Sequence, residues 1–205
     1  AATDAARGAG SLLGKLRDGV MLAPRTLFNA QVGPQRSYAV ASLPLDVVKR
    51  IAHHYGTSLN DVVLTLCAST LRDYLSRRKA LPAESLVAAM PVSLRVAGDA
   101  SVNNQVSMVQ CALRTDIADP VERLAAIAAA TGSLKRQVAS VRGWIPTDFP
   151  GFAAPIWAPA LSRLWAQGHI AERLPSLANL AVSNVPGPPM TLYMAGAKIV
   201  HYYPV

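Results

Sequence analysis

Four histidines and two cysteines are the side chains best suited to proton transfer, nucleophilic attack or metal binding. His53 and His54 adjoin. In the pattern His-His-x-x-x-Asp the second imidazole serves as general base and the carboxylate holds the loop in shape. Counted from His53, however, the carboxylate position is Ser58. The pair also sits in the last turn of an amphipathic helical stretch, where imidazoles interact favourably with the carbonyl end, so a structural role is the better reading. His169 and His201 have no Ser, Cys or carboxylate at a spacing that suggests a triad or a metal site. Cys67 and Cys111 lie in apolar runs without Cys-x-x-Cys spacing and read as buried, reduced thiols. No catalytic base and no metal site is assigned within this chain. Two polar pairs remain, Asn60-Asp61 and Ser183-Asn184, together with Arg95 at a strand end. Taken alone, the first pair reads as the start of a helix and the second as a strand end before a Pro-Gly turn.

The elements that would position these residues follow from the hydrophobic pattern. Val47, Val48, Ile51, Ala52 and Tyr55 recur at helical spacing, with Gly56 as the stop. A second helix starts at Ser58 with Asp61 as its reciprocal cap and runs to about Arg78; it is apolar on most faces and should be buried. Asp119-Pro120-Val121-Glu122 opens a third helix that continues to about Val141. Strands are expected at Arg36 to Leu43, Leu86 to Leu94, Asn104 to Leu113 and Leu177 to Ser183. Pro91 implies an edge or a bulge in the second of them. Pro186-Gly187-Pro188-Pro189 makes a rigid loop, 191–194 with 197–203 a closing hairpin, and the Pro- and Trp-rich stretch 144–176 one or two short helices. Residues 1–24, rich in Ala, Gly and Arg, read as a connector, and 25–205 as one α/β lobe with a mixed sheet.

Composition sets the outer bounds. At 205 residues, 51% hydrophobic and 16% charged, the chain can bury a substantial core and is not intrinsically disordered. So little charge beside so much apolar content also suggests a surface covered by something else, a partner lobe or lipid. The formal charge of +8 is spread singly; only Arg77-Arg78-Lys79 forms a run, and no aromatic residues interleave with it. Nucleic-acid binding is therefore not expected, and a diffuse field attracting anionic headgroups or phosphates is. The chain has no visible signal peptide and no uncharged apolar run of the roughly 20 residues a membrane span needs. A cytoplasmic protein, peripheral to membrane or lipid droplets, is the expectation.

Several spaced blocks are more specific together than apart: Ser58-Leu59-Asn60-Asp61-Val62-Val63-Leu64, Leu71-Arg72-Asp73-Tyr74-Leu75, Pro91-Val92-Ser93-Leu94-Arg95, Asp119-Pro120-Val121-Glu122-Arg123-Leu124, Ser183-Asn184-Val185-Pro186-Gly187-Pro188, and Leu192-Tyr193 with Ala195-Gly196-Ala197. In this order they resemble the bacterial wax ester synthase/diacylglycerol acyltransferase family over about residues 25 to 205. The resemblance implies a two-lobed chloramphenicol acetyltransferase-like fold, of which this chain is the C-terminal, mixed-sheet α/β lobe. It further implies transfer of a fatty acyl group from acyl-CoA to a diacylglycerol or long-chain alcohol, with acyl-CoA as substrate and no cofactor. The general-base histidine of the family lies in the N-terminal lobe, so the missing lobe becomes the expected partner and this chain alone is expected to be inactive. By the same resemblance Asn60, Asp61, Ser183 and Asn184 border the active-site channel, with Ser183 as oxyanion donor, and Arg95 is either structural or meets the CoA phosphates. Asn103-Asn104 stands where the family has Gly-Asn. The rival reading is a non-catalytic lipid-binding or interaction module with the same fold.

Overall fold

The structure, a computed structural model, describes residues 21–30, 34–93, 106–141, 176–187, 190–201 and 203. Arg95, Asn103, Asn104, His169, most of the expected connector and nearly all of the stretch 144–176 lie outside them.

Three helices carry the lobe. α1 spans Leu45–His54, α2 Leu59–Arg77 and α3 Pro120–Val141. α1 ends in a Schellman motif: Thr57 N–H reaches Ala52 O at 2.9 Å and Gly56 N–H reaches His53 O at 3.2 Å. Gly56 sits at φ +62, where a residue without Cβ is unstrained. α2 begins with a complete capping box between Ser58 and Asp61 and ends in a second Schellman motif, this time with Lys79 at φ 53. At the start of α3, Asp119 Oδ1 accepts from Val121 N–H and Glu122 N–H, each at 2.8 Å. The starts of α2 and α3 and the ends of α1 and α2 therefore follow the local chemistry of the sequence.

The sheet has the order β2-β1-β3, with β1 at Val87–Ser93, β2 at Val106–Ala112 and β3 at Leu180–Ala181. β1 pairs antiparallel with β2 and parallel with β3, so the sheet is mixed. Leu113 N–H bonds Leu86 O, whereas Val87 O and Ala89 O accept from Asn179 and Val182. Odd-numbered positions of β1 thus face β3, and Pro91 lies two residues past the last β3 bond. With no N–H to offer on that side, Pro91 leaves the β3 ladder to end after Ala89. The ladder partners of β3 stop at Ala181, giving a shorter strand than the expected 177–183.

Leu64, Ala68 and Leu75 of α2, Ile127 of α3, Leu86, Ala88 and Met90 around β1, and Cys111 and Leu113 of β2 form the main core, all buried. Val48 and Ala52 of α1 join Val62 and Leu124 in a second cluster. Truncating a core leucine such as Leu64 to alanine would cost about 2–5 kcal/mol. β4 (Tyr193–Met194) and β5 (Ala197–Lys198) make the closing hairpin as expected, with Gly196 at φ +82 in its turn.

One expected strand is not paired among the described residues. Residues 36–43 are exposed and pair with no strand among the described residues. Alternating apolar residues gave this segment a strand-like pattern, but an extended chain becomes a strand only where a neighbour supplies a ladder. The segment and the far end of the chain are instead apolar and open to solvent: Tyr38 is 60% exposed, Val185 75%, Met194 71% and Val200 77%. Ser42 and Tyr203 hydroxyls approach to 3.4 Å, placing part of these two stretches side by side.

Candidate active-site wall

The first turn of α2 is held from below. Asp61 is 4% exposed, and its Oδ2 accepts from Ser58 N–H at 2.8 Å and from Ser58 Oγ–H at 2.6 Å. Its Oδ1 accepts from Thr131 Oγ1 of α3 at 2.6 Å. Burial by itself would raise this carboxyl's pKa. The bonds from the Ser58 hydroxyl, Thr131 and the Ser58 amide, with the charge of Lys135, outweigh it and hold the pKa below the usual carboxylate value. Asp61, expected to border a channel, is an acceptor-only carboxylate with both oxygens engaged that caps α2 and ties it to α3.

Asn60, one residue earlier on the helix, lies partly exposed on the outer side of this turn. Its Oδ1 accepts from Asn184 Nδ2 at 3.3 Å, across 124 residues of chain. Asn184 follows Ser183 directly after β3, so the two polar pairs singled out in the sequence meet at one place. Ser183 in turn lines an open groove of about 500 Å³ between α2 and β3. The floor of the groove is Leu66, Cys67, Thr70 and Leu71 from the helix, with Leu180, Ala181 and Val182 from the strand. Ser183 thus lines a mainly apolar trough, and its chain neighbour Asn184 bonds Asn60.

Neither histidine of the pair belongs to this arrangement. His53 and His54 are exposed on the last turn of α1, where the His54 ring meets Tyr55 edge-on at 4.7 Å. No group of three or more His, Cys, Asp or Glu residues able to hold a metal occurs among the described residues. Cys111 is buried, and burial reinforced by the negative charge of Asp61 pushes its thiol up to about 11. Cys67, half-buried in the groove, is raised by burial as well. Both are poor nucleophiles near neutral pH.

Sequence reasoning missed the residues that clamp the site. Asn179 is buried; its Oδ1 accepts from Val87 N–H at 2.9 Å, and its Nδ2 donates to Pro24 O at 2.6 Å and Asn29 Oδ1 at 2.8 Å. The side chain joins β3 to β1 and to the segment 21–30, which is further held by Ala23 N–H on Ser176 O and by Gln110 on the Met21 backbone. Arg123, 2% exposed, donates to Ile117 O, Ala118 O and Ser69 Oγ, fixing α3 against α2. An Asn immediately before a strand and an Arg inside a helical apolar pattern are the only local marks either leaves.

The sequence from 102 to 205 matches the WS/DGAT C-terminal domain, and residues 2–63 match the wax ester synthase/diacylglycerol acyltransferase catalytic domain. The chain belongs to the wax ester synthase/diacylglycerol acyltransferase family. Among its relatives is a Mycobacterium tuberculosis H37Rv protein bearing a diacylglycerol O-acyltransferase name, 40% identical over 183 residues, covering 89% of this chain and 40% of the relative. A Mycobacterium bovis protein with the same kind of name is 36% identical over 188 residues, covering 89% of this chain and 36% of its own length. The solved wax ester synthase/diacylglycerol acyltransferase of Marinobacter aquaeolei VT8 superposes with a TM-score of 0.62 at 30% identity, over 87% of this chain and 38% of that one. The lobe therefore has the α/β, mixed-sheet fold of that acyltransferase family, and it spans about two-fifths of the length of these relatives. The two matches leave residues 64–101, from within α2 to just before β2, between them.

Proposed function

We propose that this chain is one wall of an acyl-CoA-dependent O-acyltransferase that passes a fatty acyl group to a diacylglycerol or a long-chain alcohol. The observation that carries the reading is the meeting of Asn60 with Asn184, next in the chain to Ser183, which lines the apolar groove. Family membership supports the same reading, because it accounts for two short polar motifs, 124 residues apart, ending at one site.

In this account residues 1–24 connect to an N-terminal lobe that carries the general base, and 25–205 form the C-terminal lobe. The base takes the proton of the acceptor hydroxyl as its oxygen attacks the thioester carbonyl. Ser183 Oγ–H donates to the oxyanion of the tetrahedral intermediate, which collapses to ester and CoA thiolate; the thiolate takes up the proton. Removing a single oxyanion donor typically lowers kcat by about 10²–10³-fold. Acyl-CoA is a substrate, and neither metal nor prosthetic group is called for. The exposed apolar residues at 38–45 and 185–200 are the surfaces a second lobe and a lipid interface would cover. Among the described residues no helix is long and apolar enough to cross a membrane, in keeping with peripheral contact with lipid.

The test is acyl transfer from palmitoyl-CoA to dioleoylglycerol or hexadecanol by the protein with its N-terminal lobe, against the same protein carrying Ser183→Ala. The account predicts a drop in kcat of about 10²-fold or more with KM little changed. An unchanged kcat removes Ser183 from the reaction. Absence of transfer by the wild-type two-lobed protein, while long-chain acyl-CoA still binds, would support the non-catalytic lipid-binding module instead.

A further inference from the structure

We infer that the C-terminal end of α2 is a docking surface for a bilayer bearing anionic phospholipid headgroups. The lobe then stands on the lipid by that end, with the Asn60–Asn184 contact held away from it. Charge and exposure carry this assignment, independently of the acyltransferase reading.

α2 closes on the run Arg77-Arg78-Lys79, and all three side chains are exposed. Cations are favourable beside the last carbonyls of a helix, which accounts for basic residues here but not for what lies beside them. Phe28, packed on the main core, stacks on Tyr74 with ring centroids 6.0 Å apart. The Arg78 guanidinium lies 4.4 Å from the Tyr74 centroid. Tyr74 is nonetheless 42% exposed, and Leu27, next in the chain to Phe28, is 52% exposed. Arg25, two residues before Leu27, is exposed as well. The fold thus brings to the basic run the aromatic and aliphatic groups that it lacks in sequence.

Ion pairing leaves a positive surplus. Arg77 pairs with Asp73 at 2.7 Å, but neither Arg78 nor Lys79 meets a carboxylate among the described residues. The loop from Ala80 to Leu86 contributes one acid, Glu84. A tyrosine with a polar tip, an exposed leucine, and Arg and Lys on long apolar stems suit a bilayer interface. The apolar groups enter at headgroup level while the cations meet lipid phosphates. The other exposed apolar stretches differ: 38–45 holds no charged residue and 185–200 only Lys198, so they offer an anionic surface little. A soluble polyanion would use the cations but leave Leu27 in water. Asn60 and Arg77 are about 26 Å apart along the helix at 1.5 Å per residue, so docking by this end keeps the Asn60–Asn184 contact clear of the headgroups.

The experiment is co-sedimentation of the 205-residue chain with vesicles of phosphatidylcholine, alone or with about one-third phosphatidylglycerol. Wild type is expected to prefer the anionic vesicles by about 25-fold, near fivefold for each of the two cations without a carboxylate. Arg78→Gln with Lys79→Gln should erase most of that preference. Lys49→Gln with Lys198→Gln removes the same charge from exposed positions elsewhere and should keep the preference within about twofold. Leu27→Ser, with charge unchanged, should weaken binding to anionic vesicles about fivefold. All these positions are exposed, and an unchanged thermal midpoint reports that the fold holds. A bimane label gives an independent readout, placed on Ser76→Cys or on His53→Cys in a Cys67→Ala chain. Doxyl-lipid in the anionic vesicles should quench the label at 76 and leave the label at 53 as it is in water. Equal loss of preference in the two double variants assigns binding to net charge and overturns the surface. Equal binding to neutral and anionic vesicles, wild-type binding by Leu27→Ser, or quenching at 53 in place of 76 overturns it too.

Discussion

Replacing Asp61 by alanine removes the joint on which the position of Asn60 depends. Three hydrogen bonds end on the Asp61 carboxylate, at 2.8, 2.6 and 2.6 Å, at a residue only 4% exposed. Losing the reciprocal cap costs about 1 kcal/mol. Losing the bond to Thr131 costs about 1.5–3 kcal/mol for a charged acceptor, kept toward the low end because the Thr131 hydroxyl still has Ala128 O at 3.1 Å. The sum is about 3 kcal/mol, or roughly 6–12 °C in Tm for a protein of this size. The sign with pH follows from the depressed carboxyl. Stability from a carboxylate whose folded pKa lies below its unfolded value is fully present above the unfolded pKa, about 3.9, and is lost as pH falls through the folded value. Urea unfolding followed by far-UV circular dichroism should show a constant gap between wild type and Asp61→Ala from about pH 7 down to pH 5, narrowing below pH 4. A gap under about 1 kcal/mol at neutral pH, or one that widens in acid, would refute the reasoning.

Other perturbations report on neighbouring joints. Asn60→Asp keeps an acceptor facing Asn184 and should retain most acyl transfer, whereas Asn184→Asp sets oxygen against oxygen and should lower kcat severalfold with Tm shifted by no more than about 2 °C, because the pair is exposed. Arg123→Met leaves two carbonyls without their donor and should cost about 2–4 kcal/mol in urea unfolding; Arg123→Lys should recover little of it, since an ammonium lacks the planar fork that reaches Ile117, Ala118 and Ser69 together. Asn179→Ala should release the segment 21–30, seen as faster amide exchange at Ala23 while the α2 amides stay protected. Lys79→Gly, at φ 53, should raise stability by roughly 0.5–1 kcal/mol.

Much of the fold was legible because its determinants are local. Ser58 with Asp61, Asp119 before Pro120, and Gly56 after His54 set helix ends within four residues, and the structure places the ends there. β1 and β2 were readable from apolar runs bounded by polar residues. Residues 36–43 carry the same kind of pattern yet pair with no strand among the described residues, since pairing depends on a neighbour that a short window cannot supply. The site divides in the same way. Asn60 and Ser183-Asn184 stood out through the family resemblance, and their contact is a tertiary fact joining residues 124 apart. Asp61 was legible as a cap from spacing alone, and the capping box with Ser58 is there. Asn179 and Gln110 act over 67 to 155 residues through backbone groups, and such bonds leave no periodic trace.

The most direct measurement compares steady-state acyl transfer from palmitoyl-CoA by the isolated 205-residue chain with that by the same chain joined to its N-terminal lobe. The proposal predicts no ester above the uncatalysed background from the first, and turnover by the second that Ser183→Ala cuts about 10²-fold or more. Ester formation by the isolated chain would place a competent base within these residues and contradict the account.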